Sequence, residues 1–356
     1  MDLRVAIVGY GLAGRVFHAP LVAATEGLVV ATVMTSNPER QQEVERDHPR
    51  ARVVSDMTEL WAQPRHDLVV IASPNAAHAP LAHDVIDHGV AAVVDKPLAV
   101  TAAEGEAVVE HAAQAGVSLT VFQNRRWDSD QLTLAQLLAD RRLGTVLRYE
   151  SRFERWRPDP EPNEWRALPA EEGGGQLLDL GSHLIDQAIL HFGPVTHVYA
   201  EVGAVRGLPS DDDDFLALRH AGGVISHLRA SAITAAPGPR LRVLGDSAAF
   251  VIEHLDSQED ALRAGRRPDT VADWGSEPES HWGRLVRGEE SNVVPSERGD
   301  WPRFYALLAA ALNDGGPPPV DPRDAVTTLR IIEAARRSAA ITSVGALDDH
   351  PPVSPS

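Results

Sequence analysis

Lys96 is the only lysine in the chain; the other 32 of its 33 basic residues are arginines. It follows the apolar run VAAVVD (90–95) and precedes Pro97, which places it at the C-terminal end of a predicted strand. A primary ammonium there can donate to a hydroxyl and stabilise the oxyanion formed as a hydride leaves. A guanidinium is bulkier, and its high pKa keeps it from shuttling protons. Pro97 fixes the turn, and the Lys–Pro bond can adopt the cis form. A second set lies in GGGQLLDLGSHLIDQ (173–187), where Asp179 and His183 are four residues apart and so share a helical face. A neutral imidazole can take an alcohol proton, or Lys96 can relay it instead. Asp179 can orient that imidazole or hold a further hydroxyl, and Asp186 and Gln187 extend the polar stripe as supporting groups. The third set is Gly9-Tyr10-Gly11-Leu12-Ala13-Gly14, between the apolar run LRVAIV (3–8) and a helical pattern. Gly9 permits a tight turn, Gly11 lets the backbone approach a pyrophosphate, and Gly14 lets the helix pack on the strand. The helix N-terminus adds partial positive charge. Together the three sets point to dinucleotide binding and hydride transfer.

These residues need a scaffold that brings them together. Apolar runs at 3–8, 28–34, 66–73, 89–95 and 116–122 alternate with helical stretches at about 12–25, 76–88 and 101–115. The last opens on a capping box, Thr101 to Glu104, and stops at Gly116. Strands that read as buried on both faces, joined by helices, predict a doubly wound parallel sheet over residues 1–122. Beyond it come a helix near 129–141, an alternating strand at 145–156, and a helix across 173–193. Alternating runs follow at 195–206, 214–220, 224–233, 240–245 and 248–253, then helices at 300–312 and 321–341. Consecutive strands without intervening helices predict a large open, mostly antiparallel sheet. The expected plan is α/β: an N-terminal Rossmann domain (1–122), an α+β domain (123–345) for substrate and oligomer contacts, and a tail (346–356).

The end of the second strand bears on the kind of dinucleotide. An acidic residue there favours NAD by accepting hydrogen bonds from the ribose hydroxyls. The chain instead reads Met34-Thr35-Ser36-Asn37-Pro38-Glu39-Arg40. Thr35, Ser36 and Arg40 can receive a 2′-phosphate, so NADP is preferred over NAD, with Glu39 as the feature against it.

Other features are assigned no chemistry. The net charge of −18 repels nucleic acid and anionic membranes, so neither is an expected partner. The chain contains no cysteine, which excludes thiol chemistry. No apolar run is long enough to span a bilayer, and the opening MDLRVAIVGYG lacks the pattern of a secretory signal; a cytoplasmic protein is expected. His78, His83 and His88 recur every five residues and do not share a helical face, so no metal site is expected. The run DDDD (211–214) reads as a solvated turn before a strand, with Asp214 able to point inward. Trp156 and Trp165 flank the acidic, proline-rich RPDPEPNE, a loop type that often covers a site.

The order GYGLAG, DKP, GGGQLLDLGSH resembles the Gfo/Idh/MocA oxidoreductases, over essentially the whole chain to about residue 340. GYGLAGRVFHAPL, SPNAAHAPLA, FQNRRWDSD and DLGSHLIDQA resemble the branch typified by NADP-dependent scyllo-inositol dehydrogenases. The resemblance implies a catalytic trio of Lys96, Asp179 and His183. It places Ser73, Pro74, Asn75 and His78 along the coenzyme, with Asp95, Lys96 and Pro97. It places Asn124, Arg125 and Trp127 near the nicotinamide and substrate, where Trp165 is a further substrate candidate. Asp95 stands where the family commonly has glutamate. The expected activity is hydride transfer between NAD(P) and a secondary carbinol of a cyclic polyol or sugar, by a homodimer or homotetramer. The rivals are a redox-neutral sugar lyase or glycosidase on the same fold, and a non-catalytic dinucleotide sensor.

Overall fold

In the first half, β1 (Leu3–Val8) leads into a helical segment of π pitch, Ala13–His18, continued as α1 (Ala19–Ala24). There follow β2 (Leu28–Met34), α2 (Pro38–Asp47), β3 (Arg52–Val54), α3 (Met57–Trp61), β4 (Leu68–Ile71), α4 (His78–Asp87), β5 (Ala91–Asp95), α5 (Ala102–Ala115) and β6 (Leu119–Phe122). The computed structural model describes residues 2–160 and 165–341; the expected tail and part of the acidic loop lie outside them. The strands pair in parallel in the order β3-β2-β1-β4-β5-β6. The order reverses between β1 and β4, and a ligand crevice opens at the carboxyl ends of strands beside such a reversal.

Successive side chains of a strand face opposite ways, and here both faces are covered. Val5, Ile7, Leu68 and Val70 pack in one core with α1, while Ala6, Val8, Val69 and Ile71 pack in the other with α4 and α5. Burying such a side chain contributes about 1.5–3 kcal/mol. Helix α5 carries the expected capping box and ends at Gly116 with φ 66°.

The second half contains α6 (Ser129–Ala139), β7 (Val146–Glu154), a π turn (Leu177–Gly181) running into α7 (Ser182–Phe192), β8 (Val195–Gly203), β9 (Asp213–His220), β10 (Ile225–Ser231), β11 (Leu241–Gly245), β12 (Ala249–Ile252), α8 (Gln258–Arg263), β13 (Gly283–Arg287), β14 (Glu290–Val294), α9 (Pro302–Asp314) and α10 (Pro322–Ala340). Its sheet has the order β14-β13-β12-β11-β7-β10-β9-β8. It is antiparallel except for the β7–β10 pair. One face is apolar: Tyr149, Phe153, Leu216, Leu218 and Leu228 pack with Leu177, Leu184 and Ile185. That contact fixes the helix bearing Asp179 and His183. The last two helices return to the first half. Phe304, Tyr305 and Leu308 of α9 join the core of Val5 and Ile7, and Val326 and Leu329 of α10 meet Leu98 and Gly105.

Some elements carried no legible pattern. Strand β3 is only RVV with its first residue exposed, and β14 is exposed along nearly its whole length. The aspartate run is not a solvated turn: Asp211, Asp212 and Asp214 are buried. Backbone donors draw them inward, Leu177 N–H to Asp211 and the Val205 and Arg206 N–H groups to Asp212. Among the described residues no helix is long and apolar enough to cross a membrane.

Candidate active site

A cleft of about 580 Å³ runs from the glycine loop to the start of α7. At the glycine end the main chain decides the shape. Gly9 has φ +97°, and a Cβ there would lie 2.5 Å from the Ala72 carbonyl oxygen. A Cβ on Gly14 would lie 2.0 Å from the Gly9 oxygen, so these two positions close the turn and seat the helix. Gly11 differs: the nearest atom to its Cβ position is Arg40 Nη1 at 3.9 Å. The loop is therefore open at Gly11, beside a guanidinium, as a bound pyrophosphate requires. Asn37 caps α2 by accepting from the Glu39 and Arg40 N–H groups, which sets Arg40 in its first turn. Tyr10, Leu12, Ala13, Thr35, Ser36 and Arg40 all line this end, and Glu39 does not. The residues present fit a dinucleotide.

The middle wall is Ser73, Pro74 and Asn75. Asn75 Nδ2 donates to Gly173 O at 2.8 Å, tying the first sheet to the segment before α7. His78 lies behind that wall, buried, with Nδ1 2.7 Å from Pro97 O and Nε2 2.9 Å from Ser73 O. Its ring links the two loops and does not line the cleft. Pro97 is likewise buried, and its bond to Lys96 is cis.

At the far end the side chains decide. Lys96 Nζ donates to Asp179 Oδ1 at 2.5 Å and to the Asp179 carbonyl oxygen at 3.0 Å. Arg166 Nε donates to the other carboxylate oxygen at 2.6 Å. Burial works against ionisation of Asp179, but the Lys96 and Arg166 cations overcome it and hold the carboxyl well below the usual range. His183 lines the same cleft, and its Nδ1 is buried without a hydrogen-bond partner. Burial, reinforced by the Lys96 and Arg125 charges, holds its pKa well below the ordinary histidine value. The ring is therefore neutral at pH 7 and able to accept a proton.

Asp95 accepts from the Lys96 N–H at 2.9 Å, and His18 Nε2 stands 3.6 Å from the same carboxylate. Asn124 and Arg125 line the cleft. Arg125 bonds Asp128 at 3.3 Å, pairs with Glu259, and lies over the Phe153 ring at 4.9 Å. Trp165 lines the cleft and carries the Arg166 guanidinium 4.5 Å above its ring.

Trp127 is a correction. It is buried against Phe304 and does not reach the cleft, because the short 3₁₀ turn Asn124–Trp127 sends Asn124 and Arg125 to the cleft and the indole into the α9 core. Asp186 is taken up by Arg126 through two bonds of 2.8 and 2.6 Å, so the far end of the α7 stripe is structural. Sequence reasoning missed Arg155, Arg166, Glu259, Arg263 and Trp301, which line the cleft. Arg166 follows Trp165, which bounds the acidic loop; the others carry no local signal.

Comparison with known proteins agrees with this geometry. Residues 3–123 match the oxidoreductase family with an NAD-binding Rossmann fold, and residues 131–251 match the GFO/IDH/MocA C-terminal domain. The chain is 36% identical to the scyllo-inositol 2-dehydrogenase (NADP(+)) IolW of Bacillus subtilis, covering 95% of this chain and 94% of that protein. It is 27% identical to the D-apiose dehydrogenase of Paraburkholderia graminis, over 94% of this chain and 87% of that one. The solved structure of the YPO2259 putative oxidoreductase from Yersinia pestis superposes with a TM-score of 0.88 at 36% identity, covering 98% of both chains. With a nucleotide loop on a parallel sheet, an open antiparallel sheet behind it and end-to-end similarity to such relatives, the chain belongs to the Gfo/Idh/MocA family of oxidoreductases.

Proposed function

We propose that the protein transfers a hydride between NADP and a secondary carbinol of a cyclic polyol or sugar. One observation carries the reading: Lys96, at the end of β5, and Asp179 and His183, where the π turn runs into α7, line one cleft that also contains the glycine loop. The relatives named for scyllo-inositol and D-apiose support a polyhydroxylated substrate. Thr35, Ser36 and Arg40 would hold the 2′-phosphate, Gly9 to Ala13 the pyrophosphate, and Ser73 to Asn75 with Asn124 the nicotinamide side. When bound, the nicotinamide supplies the hydride acceptor.

His183, neutral and desolvated, takes the hydroxyl proton. The Lys96 ammonium donates to the developing oxyanion; stabilisation by one such donor typically contributes about 10²–10³ in rate. Asp179 holds that ammonium by one carboxylate oxygen while Arg166 holds the other, so the donor is set before substrate arrives. The test is a fluorescence titration with NADPH and NADH, then inositols and aldoses followed at the nicotinamide absorbance. Tighter binding of NADPH and net reduction of NADP by a polyol are expected. Sugar turnover with no net reduction would instead identify a redox-neutral enzyme.

A further inference from the structure

Six cationic side chains line the cleft against three carboxylates, in a chain of net charge −18. Five of the six are accounted for. Lys96 and Arg166 hold Asp179, Arg125 and Arg263 hold Glu259, and Arg40 stands over the glycine loop. Arg155 is the sixth. It follows the last residue of β7, and its backbone N–H and carbonyl are fixed by Ser231 and Thr234. Its guanidinium forms no hydrogen bond or ion pair with any described residue. The side chain is half-buried. Burial is the main cause of a pKa held below the ordinary arginine value, with Arg125 and Arg157 adding to it and Glu259 and Asp179 opposing. Those neighbours put it at the Asp179 end, away from where the coenzyme phosphates belong. The guanidinium is only partly withdrawn from water, and a ligand carboxylate compensates that loss through two parallel bonds to the planar fork.

We infer that Arg155 reads a carboxylate on the substrate, so that the preferred polyol or sugar is an acid of the uronate or aldonate class. This rests on the dehydrogenase reading above. A phosphate dianion fits less well, because it calls for a second unengaged cation in the cleft: Arg125 and Arg166 are held by Glu259 and Asp179, and Arg157 is exposed and does not line the cleft.

The test uses pairs that differ only in CH₂OH against COO⁻: D-glucose with D-glucuronate, D-galactose with D-galacturonate, and D-sorbitol with D-gluconate, plus D-glucose 6-phosphate. Binding to the NADP-loaded full chain is read by tryptophan fluorescence, since Trp165 and Trp301 line the cleft, and turnover is read by NADP reduction. For at least one pair the acid is favoured by roughly 30-fold, the factor expected of a charge-assisted contact worth about 2 kcal/mol. Arg155→Gln collapses that ratio towards one while NADPH affinity, which reports folding, is retained. Arg155→Lys restores part of it, charge without the fork. Equal use of both members of every pair overturns the inference, as does a ratio untouched in Arg155→Gln or a preference for the phosphate ester. Acid-selective binding without NADP reduction by any compound would support the role of Arg155 and count against the dehydrogenase reading.

Discussion

The two ends of the cleft are built by different means. At the glycine loop the work falls to main chain within six consecutive residues, Gly9 to Gly14, with Thr35, Ser36 and Arg40 added from the next unit. At the other end the side chains of Lys96, Arg155, Arg166, Asp179, His183 and Glu259 converge from far apart along the chain. The first end depends on the space that missing side chains leave. The second depends on which charges meet and how far they are removed from water. Substitutions should therefore fail differently at the two ends: by steric closure at one, by loss of an electrostatic arrangement at the other.

The largest effect tests the electrostatic end. Lys96→Ala removes the proposed oxyanion donor and leaves Asp179 with Arg166 alone, and kcat should fall by about 10²–10³. Retention of full turnover would break the assignment. Next, His183→Gln should lower polyol oxidation by roughly 10²–10⁴. The pH profile sharpens this. Because the folded pKa of His183 is depressed, the ring keeps its base form to lower pH, so wild-type kcat/KM should hold through pH ~6.5, the ordinary histidine value, and fall only below it. An acid limb above that value would contradict the neutral buried ring.

The glycine end is tested by a matched pair. Gly11→Ala meets only an ordinary contact with the end of the Arg40 side chain at 3.9 Å, so thermal stability should stay put while NADPH affinity drops by roughly 100-fold, or ~2.7 kcal/mol. Gly14→Ala drives a methyl into the Gly9 carbonyl and should lower stability and affinity together. Equal melting temperatures for the two variants would contradict the steric account. The smallest effect concerns coenzyme choice: Arg40→Ala should reduce the preference for NADPH over NADH by about tenfold, ~1.4 kcal/mol, measured as a ratio of dissociation constants.

The same contrast explains what could be read in advance. The strand–glycine–helix order, the Thr101 capping box and the strand-end placement of Lys96 are local patterns. Asp179 and His183 were also legible, because a spacing of four on a helix puts them on one face. Trp127 misled because its neighbours Asn124 and Arg125 do reach the cleft; a single turn sends adjacent side chains in opposite directions. The aspartate run misled because its partners, the N–H groups of Leu177, Val205 and Arg206, are contributed by other segments.

By itself the sequence determined the alternation of strand and helix, the loop able to admit a phosphate, and the identity of the amine, carboxylate and imidazole. Those follow from each residue's own backbone freedom and its near neighbours. Only the tertiary structure decided that one carboxylate holds both Lys96 and Arg166, that His183 is neutral, that Trp127 is core, and that Arg155 stands without a partner among the described residues. Charge pairing and desolvation are set by which distant segments meet, and no local spacing encodes that meeting.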